Sequence, residues 1–169
     1  KVADANSTSK HPMLTLRRAC PGAWVDFNGH MRDAYYVLLI SFANDKMMAE
    51  LGTGPEYLAR TGCTFYNLDT HIRYLKEAHH GDPLRVEMRL LDADDRRVHL
   101  HSVIFHDQTN EPLAVNETLL LHVDQSGPRA IAFPPDVAAL VNARAASDAG
   151  PAPALRAGQV GIRRKAGLP

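Results

Sequence analysis

The spacing of apolar residues divides the chain into a helical part and a later part with the alternation of β-strands. Between residues 34 and 51, apolar side chains recur every three or four positions, which predicts one long helix. The first half of this segment is apolar on almost every side, so we expect the sheet to wrap around the helix. Asp33 is a candidate N-cap before it, and Gly52 follows it. The helical stripe consists of Tyr36, Ile40, Ala43, Met47 and Leu51.

After Gly62 the period changes from about four residues to two, which indicates strands with one buried face. Such segments cover residues 64–76, 84–90, 96–107 and 112–124, with short turns between them. A strand over 13–20 precedes the long helix, a short helix over 55–60 follows it, and a terminal helix covers 134–146. This order predicts an α+β protein in which an antiparallel sheet wraps around a long central helix.

Length and charge limit the organisation of the chain and its classes of partner. The 169 residues fit one domain, which we place at 13–147, between a disordered lead-in at 1–12 and a flexible tail at 148–169. The 19 basic and 19 acidic residues balance, so neither nucleic acid nor a membrane is expected as a partner. The first residue is not Met, which leaves open a processed chain or part of a longer fusion protein.

The cysteines and histidines predict neither disulfides nor a metal. Cys20 and Cys63 match no disulfide framework and no zinc spacing. Residues 1–10 are polar and lack the apolar core of a signal peptide, so we expect a cytoplasmic, reducing location. Two histidine pairs stand out, His79 with His80 and His99 with His101, and no Cys, Asp or Glu joins either pair at a familiar ligand spacing. We therefore predict that the protein needs no metal and no organic cofactor.

The loop before the long helix carries the strongest chemical signal. Residues 24–31 read Trp-Val-Asp-Phe-Asn-Gly-His-Met, which places the carboxylate of Asp26 three residues before Gly29. Unpaired N–H groups at a helix start can stabilise an oxyanion, and a nearby carboxylate can attack a thioester or activate water. A cap or turn role for Asp26 is the alternative that the residues alone leave open.

This segment, with Asp-Ala-Tyr-Tyr at 33–36 after it, resembles the hotdog-fold thioesterases of the 4-hydroxybenzoyl-CoA type. Within that group it is most similar to the betainyl-CoA thioesterases of carnitine breakdown. The resemblance covers about residues 13–135, and its motifs are more specific for the fold than for the subgroup. It continues at Arg-Thr-Gly-Cys (60–63), His-Ile-Arg-Tyr-Leu (71–75), Gly-Asp-Pro-Leu-Arg-Val (81–86) and Leu-Leu-Leu-His-Val-Asp (119–124).

The resemblance implies an acyl-CoA thioesterase acting on a short acyl chain, with betainyl-CoA as a candidate substrate. The family's catalytic carboxylate falls on Asp26, as nucleophile or as general base, and its backbone donors fall near residues 30–33. Many relatives have Asn where this chain has Arg32, which could instead meet a phosphate of CoA. A homodimer or a dimer of dimers is expected. The implied substrate contacts in the loop are Asn28, Gly29, His30, Met31 and Arg32.

Two further groups of residues are candidates for substrate contacts. Aromatic residues gather around the loop, and a subset could form a box for a quaternary ammonium, although most must pack in the core. Glu117 alternates with the apolar residues of its strand and should point inward, where a carboxylate needs a partner. An ion pair with an Arg or a His is the alternative to a substrate contact. The aromatic candidates are Trp24, Tyr35, Tyr36 and Tyr66, with Phe27, Phe65 and Tyr74 close by.

Two other functions belong to different classes. A hotdog hydratase uses a His with an Asp or Glu in other local motifs, which are not found in this sequence. A non-catalytic acyl-CoA-binding or regulatory domain, fused for example to a carnitine dehydrogenase, would not need a carboxylate facing a polyanionic ligand. Asp26 therefore favours the thioesterase.

Overall fold

The computed structural model describes residues 13–158 and 160–164. The lead-in expected at residues 1–12 lies outside this part of the chain. The described residues form one antiparallel sheet and three α-helices, and a short 3-10 helix spans Gly22–Trp24. The strands are β1 (Leu14–Ala19), β2 (Cys63–Tyr74), β3 (Pro83–Ala93), β4 (Arg97–His106), β5 (Glu111–Asp124) and β6 (Arg129–Ala130). The helices are α1 (Asp33–Glu50), α2 (Pro55–Thr61) and α3 (Pro135–Asp148).

Helix α1 is the long central helix that the apolar spacing predicts. All members of its stripe are buried, and Ala43 and Met47 have no exposed surface. The helix begins after Arg32, whose extended backbone makes it the N-cap without a side-chain hydrogen bond. Asp33, expected at the N-cap, is instead the first helical residue. Gly52 follows the helix with a φ of +72°, a conformation that glycine adopts without strain.

The sheet has the strand order β1-β3-β4-β5-β2, and the short β6 pairs with the end of β5. All pairings are antiparallel, as predicted from the short turns. One face packs against α1 through Val86, Met88, Leu100 and Ile104. Register shifts in three of the strand pairs interrupt the ladders, and such irregularities bend strands and curve a sheet. The α+β architecture with a central helix is confirmed.

The second face of the sheet is covered by the chain that follows α3. Ala157 packs with Val103 and Val115, which point away from α1. Ala157 and Val160 are both buried. We call residues 149–158 the C-terminal strap. The strap packs on the sheet because its few apolar residues contact apolar side chains on that face. This differs from the flexible tail expected from residue 148 onward, since the periodicity of the sequence does not reveal this contact.

Candidate active site

The loop that leads into α1 closes on itself through backbone hydrogen bonds. The N–H of Asp26 donates to the carbonyl of His30 at 2.9 Å, and the N–H of Gly29 donates to the carbonyl of Asp26 at 3.0 Å. Val25 and Met31 form an isolated antiparallel bridge beside this turn. Gly29 has a φ of +81°, so its lack of a side chain lets the turn form without strain. The loop therefore holds Asp26 in a defined position.

The carboxylate of Asp26 is fixed at one oxygen and open at the other. Its Oδ1 accepts the N–H groups of Asn28 at 2.8 Å and His30 at 3.3 Å. Within the described chain, no hydrogen bond of ordinary geometry reaches Oδ2, although the side chain of Asn28 lies near the carboxylate and also lowers its pKa. Desolvation would raise the pKa of Asp26, but the two N–H donors and the positive charge of Arg32 outweigh it and lower that pKa. Asp26 is therefore ionised at neutral pH and presents one free oxygen.

The backbone donors expected near residues 30–33 are mostly occupied. His30 donates its N–H to Asp26, Met31 donates to the carbonyl of Ala78 at 2.7 Å, and Arg32 donates to the carbonyl of Trp24 at 2.9 Å. In the part of the chain that the structure describes, the N–H of Asp33 has no acceptor. It is the first N–H of α1, where the helix dipole also favours negative charge. Of the four donors, only the N–H of Asp33 is available to a ligand.

A cavity of about 350 Å³ lies at this end of α1. His30 and Met31 contribute from the loop, Asp33 and Tyr36 from the helix, and Tyr74 and Glu77 from the end of β2 and the chain after it. The hydroxyl of Tyr74 donates to the carbonyl of Asp33 at 3.3 Å, and that of Tyr36 donates to the carbonyl of Lys76 at 3.2 Å. Burial raises the pKa of Tyr36 to about 12, so its phenol stays protonated.

The structure brings some of the sequence candidates to this cavity and leaves others away from it. The ring of Trp24 is 7% exposed, stacks on Tyr35 at 5.0 Å and lies 4.6 Å from the guanidinium carbon of Arg18, so it is committed to packing. Tyr66 is exposed on β2 and does not line the cavity. Of the four aromatic candidates, only Tyr36 lines the cavity.

Asn28 and Arg32 lie beside Asp26 rather than inside the cavity. Both are exposed. The backbone N–H of Asn28 holds Oδ1 of Asp26, and the side chain of Asn28 also lowers the pKa of this carboxylate. Arg32 contributes its charge to the low pKa of Asp26 and remains open to solvent, where it could meet an anionic part of a ligand.

Glu117 is buried, as its strand position predicts, but it faces the C-terminal strap instead of α1. Its side chain has no exposed surface. Oε1 accepts from Nε of Arg156 at 2.6 Å and from the N–H of Ala157 at 3.1 Å. Oε2 lies 2.7 Å from a terminal nitrogen of Arg156 and 2.8 Å from Nε2 of His99. These contacts form an ion pair under the strap, and none involves the loop that carries Asp26.

Sequence reasoning left Tyr74 and Glu77 out of the predicted site. Tyr74 stood among the aromatic residues near the loop, but only the contact of its hydroxyl with Asp33 places it at the helix start. Glu77 follows the strand with no periodic or motif signal. The sequence signal that could have placed Tyr74 in the site was its position at the end of a predicted strand that had to pack near the helix.

The remaining candidate chemistry is limited. Within residues 13–158 and 160–164, no group of three or more His, Cys, Asp or Glu side chains is placed to hold a metal ion. In the same part of the chain, no helix is long and apolar enough to cross a membrane. Cys20 and Cys63 are both buried free thiols.

A curved antiparallel sheet around a long helix, with a carboxylate in the loop at the start of that helix, defines a hotdog-fold hydrolase. Residues 20–141 match the family described as the thioesterase-like superfamily. The chain belongs to this family. The predictions of the family, of the hotdog fold and of a thioester hydrolase are confirmed.

Curated relatives and solved structures agree with this family. The chain is 37% identical to a betainyl-CoA thioesterase of Pseudomonas aeruginosa, over 86% of this chain and 89% of the relative. It is 39% identical to an L-carnitine dehydrogenase/betainyl-CoA thioesterase of Agrobacterium fabrum, over 85% of this chain but only 29% of that longer protein.

Among solved structures, a Staphylococcus aureus protein in complex with CoA superposes with a TM-score of 0.82 at 22% identity, over 90% of this chain and 96% of the other. A putative thioesterase of Pseudomonas putida superposes with a TM-score of 0.72 at 29% identity, over 94% and 99%.

Proposed function

We propose that the protein hydrolyses a short acyl-CoA thioester, with betainyl-CoA as its substrate and Asp26 as its catalytic carboxylate. The observation that carries this proposal is the position of Asp26 on the loop that leads to α1. Among the described residues, its Oδ2 is the less engaged carboxylate oxygen, and the N–H of Asp33 at the start of α1 has no acceptor. Thioester hydrolysis needs a base or nucleophile and a donor for the oxyanion, and these two groups supply both.

In the proposed reaction, the thioester oxygen accepts the N–H of Asp33, which polarises the carbonyl carbon. Oδ2 of Asp26 then either attacks this carbon or takes a proton from a water molecule that attacks it. In both routes the C–S bond breaks, the electron pair leaves with sulfur, and CoA departs as a thiol after gaining a proton. Nucleophilic attack forms an acyl–Asp26 anhydride that water hydrolyses, whereas general-base attack releases the acid directly.

The choice of substrate is supported by the relatives. The P. aeruginosa protein and the thioesterase part of the longer proteins are both described as betainyl-CoA thioesterases. The carboxylates of Asp33 and Glu77 line the cavity at the helix start, and they suit a cationic acyl group better than an anionic one. Arg32, exposed beside the loop, is our candidate for a contact with a CoA phosphate.

A screen of acyl-CoA thioesters with a thiol-reactive dye tests the activity directly, because each turnover releases one CoA thiol. We expect hydrolysis of betainyl-CoA with kcat/KM well above that of long-chain and dicarboxylic acyl-CoAs. Binding of acyl-CoA without release of thiol would contradict the proposal and favour a non-catalytic binding domain.

We further infer that the protein is a homodimer, joined through β2. This strand spans 12 residues, forms one edge of the sheet, and carries Tyr66 and Leu68 as exposed hydrophobic side chains outside the cavity. An unpaired edge of this length invites pairing with a second copy. Light scattering at micromolar concentration should give the mass of a dimer or of a dimer of dimers. A stable monomer with full activity would contradict this inference.

We also propose that the protein is cytoplasmic. Its support is the pair of buried free thiols, which fit a reducing compartment.

A further inference from the structure

We propose that the exposed ring of Tyr74 forms the subsite that selects a quaternary ammonium on the acyl group. Tyr36 holds this ring in place, and Asp33 and Glu77 supply the negative charge. This inference rests on the proposed thioesterase function and assigns specificity within its cavity. A trimethylammonium group has no N–H to donate, so hydrogen bonds cannot recognise it. Aromatic rings and nearby carboxylates can.

The two tyrosine rings stand at a right angle and are held there. Their centroids are 5.4 Å apart and their planes make an angle of 87°. Each hydroxyl donates to a backbone carbonyl, that of Tyr36 to Lys76 and that of Tyr74 to Asp33. Tyr74 is 48% exposed, so a ligand in the cavity can reach its ring. Tyr36 is only 3% exposed, so its role is to hold the ring of Tyr74, which can then meet a cation without losing side-chain entropy.

The position of the Tyr74 ring agrees with the size of a betainyl group. In betainyl-CoA the ammonium nitrogen is separated from the thioester carbon by a single methylene group, so the cation site must adjoin the oxyanion donor. Asp33 provides that donor through its N–H, and its own carbonyl accepts the hydroxyl of Tyr74. Asp33, Tyr36 and Tyr74 all line the same cavity. Asp33 therefore links the proposed oxyanion donor to the ring of Tyr74.

The charges around the cavity also favour a cation. Lys76 lines the cavity, but its ammonium forms an ion pair with Glu111, which compensates its charge. Within the described residues, neither Asp33 nor Glu77 forms an ion pair. His30 is the other titratable group that faces the cavity beside the tyrosines. Two carboxylates without cationic partners attract a quaternary ammonium and repel the free carboxylate of a dicarboxylic acyl-CoA.

The test compares two esters of the same shape. Betainyl-CoA and 3,3-dimethylbutanoyl-CoA differ only in the replacement of the ammonium nitrogen by carbon. Because the ammonium also activates the neighbouring thioester carbonyl, we define the preference as the kcat/KM ratio of the two esters divided by the ratio of their rates with hydroxide in the absence of protein. We expect the wild type to favour betainyl-CoA by about tenfold or more, which corresponds to about 1.4 kcal/mol.

The variants Tyr74→Leu, Tyr74→Phe and Glu77→Gln then locate this preference. Tyr74→Leu removes both the aromatic ring and the hydroxyl bond to Asp33, whereas Tyr74→Phe removes that bond alone, so Tyr74→Leu should lower the ratio by about fivefold or more relative to Tyr74→Phe. Tyr74→Phe keeps the ring and should keep the ratio. Glu77→Gln should lower the ratio by about two- to fivefold, because this charge is exposed. Phe42→Leu, which changes an exposed aromatic residue of α1 outside the cavity, is the matched control and should leave the ratio unchanged.

The outcomes separate this inference from the function on which it rests. If the wild type shows no preference after division by the hydroxide rates, or if Tyr74→Leu keeps the full preference, the subsite is wrong and the thioesterase stands. If no acyl-CoA is hydrolysed, the proposed function fails instead.

Discussion

Two carboxylates of this protein, those of Asp26 and Glu117, differ in the number of donors that surround them. Glu117 has no exposed surface and accepts from Arg156, Ala157 and His99, with contacts at both of its oxygens. Asp26 lies on a loop and accepts two backbone N–H groups at one oxygen only. Both oxygens of Glu117 are therefore engaged by protein groups, whereas Asp26 is fixed through Oδ1 and can react through Oδ2.

The lowered pKa of each group has a different physical origin. Desolvation would raise the pKa of Glu117, but the guanidinium of Arg156, the N–H of Ala157 and His99 together lower it. Asp26 owes its lowered pKa mainly to the turn that it closes and to the charge of Arg32. A shifted pKa therefore does not by itself identify a catalytic residue, and the free oxygen decides between these two.

The largest effect that we expect concerns the N–H of Asp33, the proposed donor to the thioester oxygen. Asp33→Pro removes the N–H of Asp33 at the first position of α1, where proline fits a helix and the extended Arg32 fits the residue before it. We predict that kcat falls by about 10²–10³-fold while the protein stays folded. Asp33→Ala, which keeps the N–H, is the control and should lose far less. Equal losses in both variants, measured by steady-state kinetics, would assign the effect to the side chain.

The next effect concerns the ion pair under the C-terminal strap. Arg156→Ala leaves the buried carboxylate of Glu117 without its main partner. The side chain of Arg156 is 43% exposed, so water compensates part of the loss, and we expect a decrease of about 2–3 kcal/mol in the free energy of unfolding.

Urea denaturation measures this decrease, and adding Glu117→Gln should recover at least about 1 kcal/mol of it. The control is Arg164→Ala, which removes the exposed ion pair with Asp92 and should cost less than about 1 kcal/mol. Equal effects of Arg156→Ala and Arg164→Ala would show that the burial of Glu117 does not matter.

A smaller effect is expected when pH is lowered. The pKa of Glu117 in the folded protein lies below its ordinary value of 4.5. The ionised carboxylate therefore stabilises the fold above that pH, and this stability is lost as the pH falls below it. The difference in unfolding free energy between the wild type and Glu117→Gln should shrink between pH 6 and about pH 3. A difference that stays constant over this range would contradict a charged Glu117.

The sequence predicts the fold well where the signal is local. The i, i+4 spacing of Tyr36 and Ile40 defines α1, and two-residue alternation defines the long strands because one face of each packs on that helix. Asp26 could also be recognised, because the turn that positions it lies within five residues.

What the sequence does not predict depends on contacts between distant residues. The alternation in β5 shows that Glu117 is buried but not which face of the sheet it occupies, because apolar residues cover both faces. Arg156 lies 39 residues from Glu117, in a segment whose composition resembles a disordered tail. Tyr74 likewise reaches the site only through the packing of β2 against α1.

The most direct test of this account measures Asp26→Asn and Glu117→Gln side by side, each for kcat on betainyl-CoA and for its urea midpoint. We predict that Asp26→Asn lowers kcat by at least about a hundredfold with an unchanged midpoint. Glu117→Gln should lower the midpoint and, where the protein is folded, keep kcat within about threefold of the wild type. A folded Glu117→Gln variant that loses a hundredfold in kcat, beside an Asp26→Asn variant of near-normal rate, would reverse the assignment of the two carboxylates.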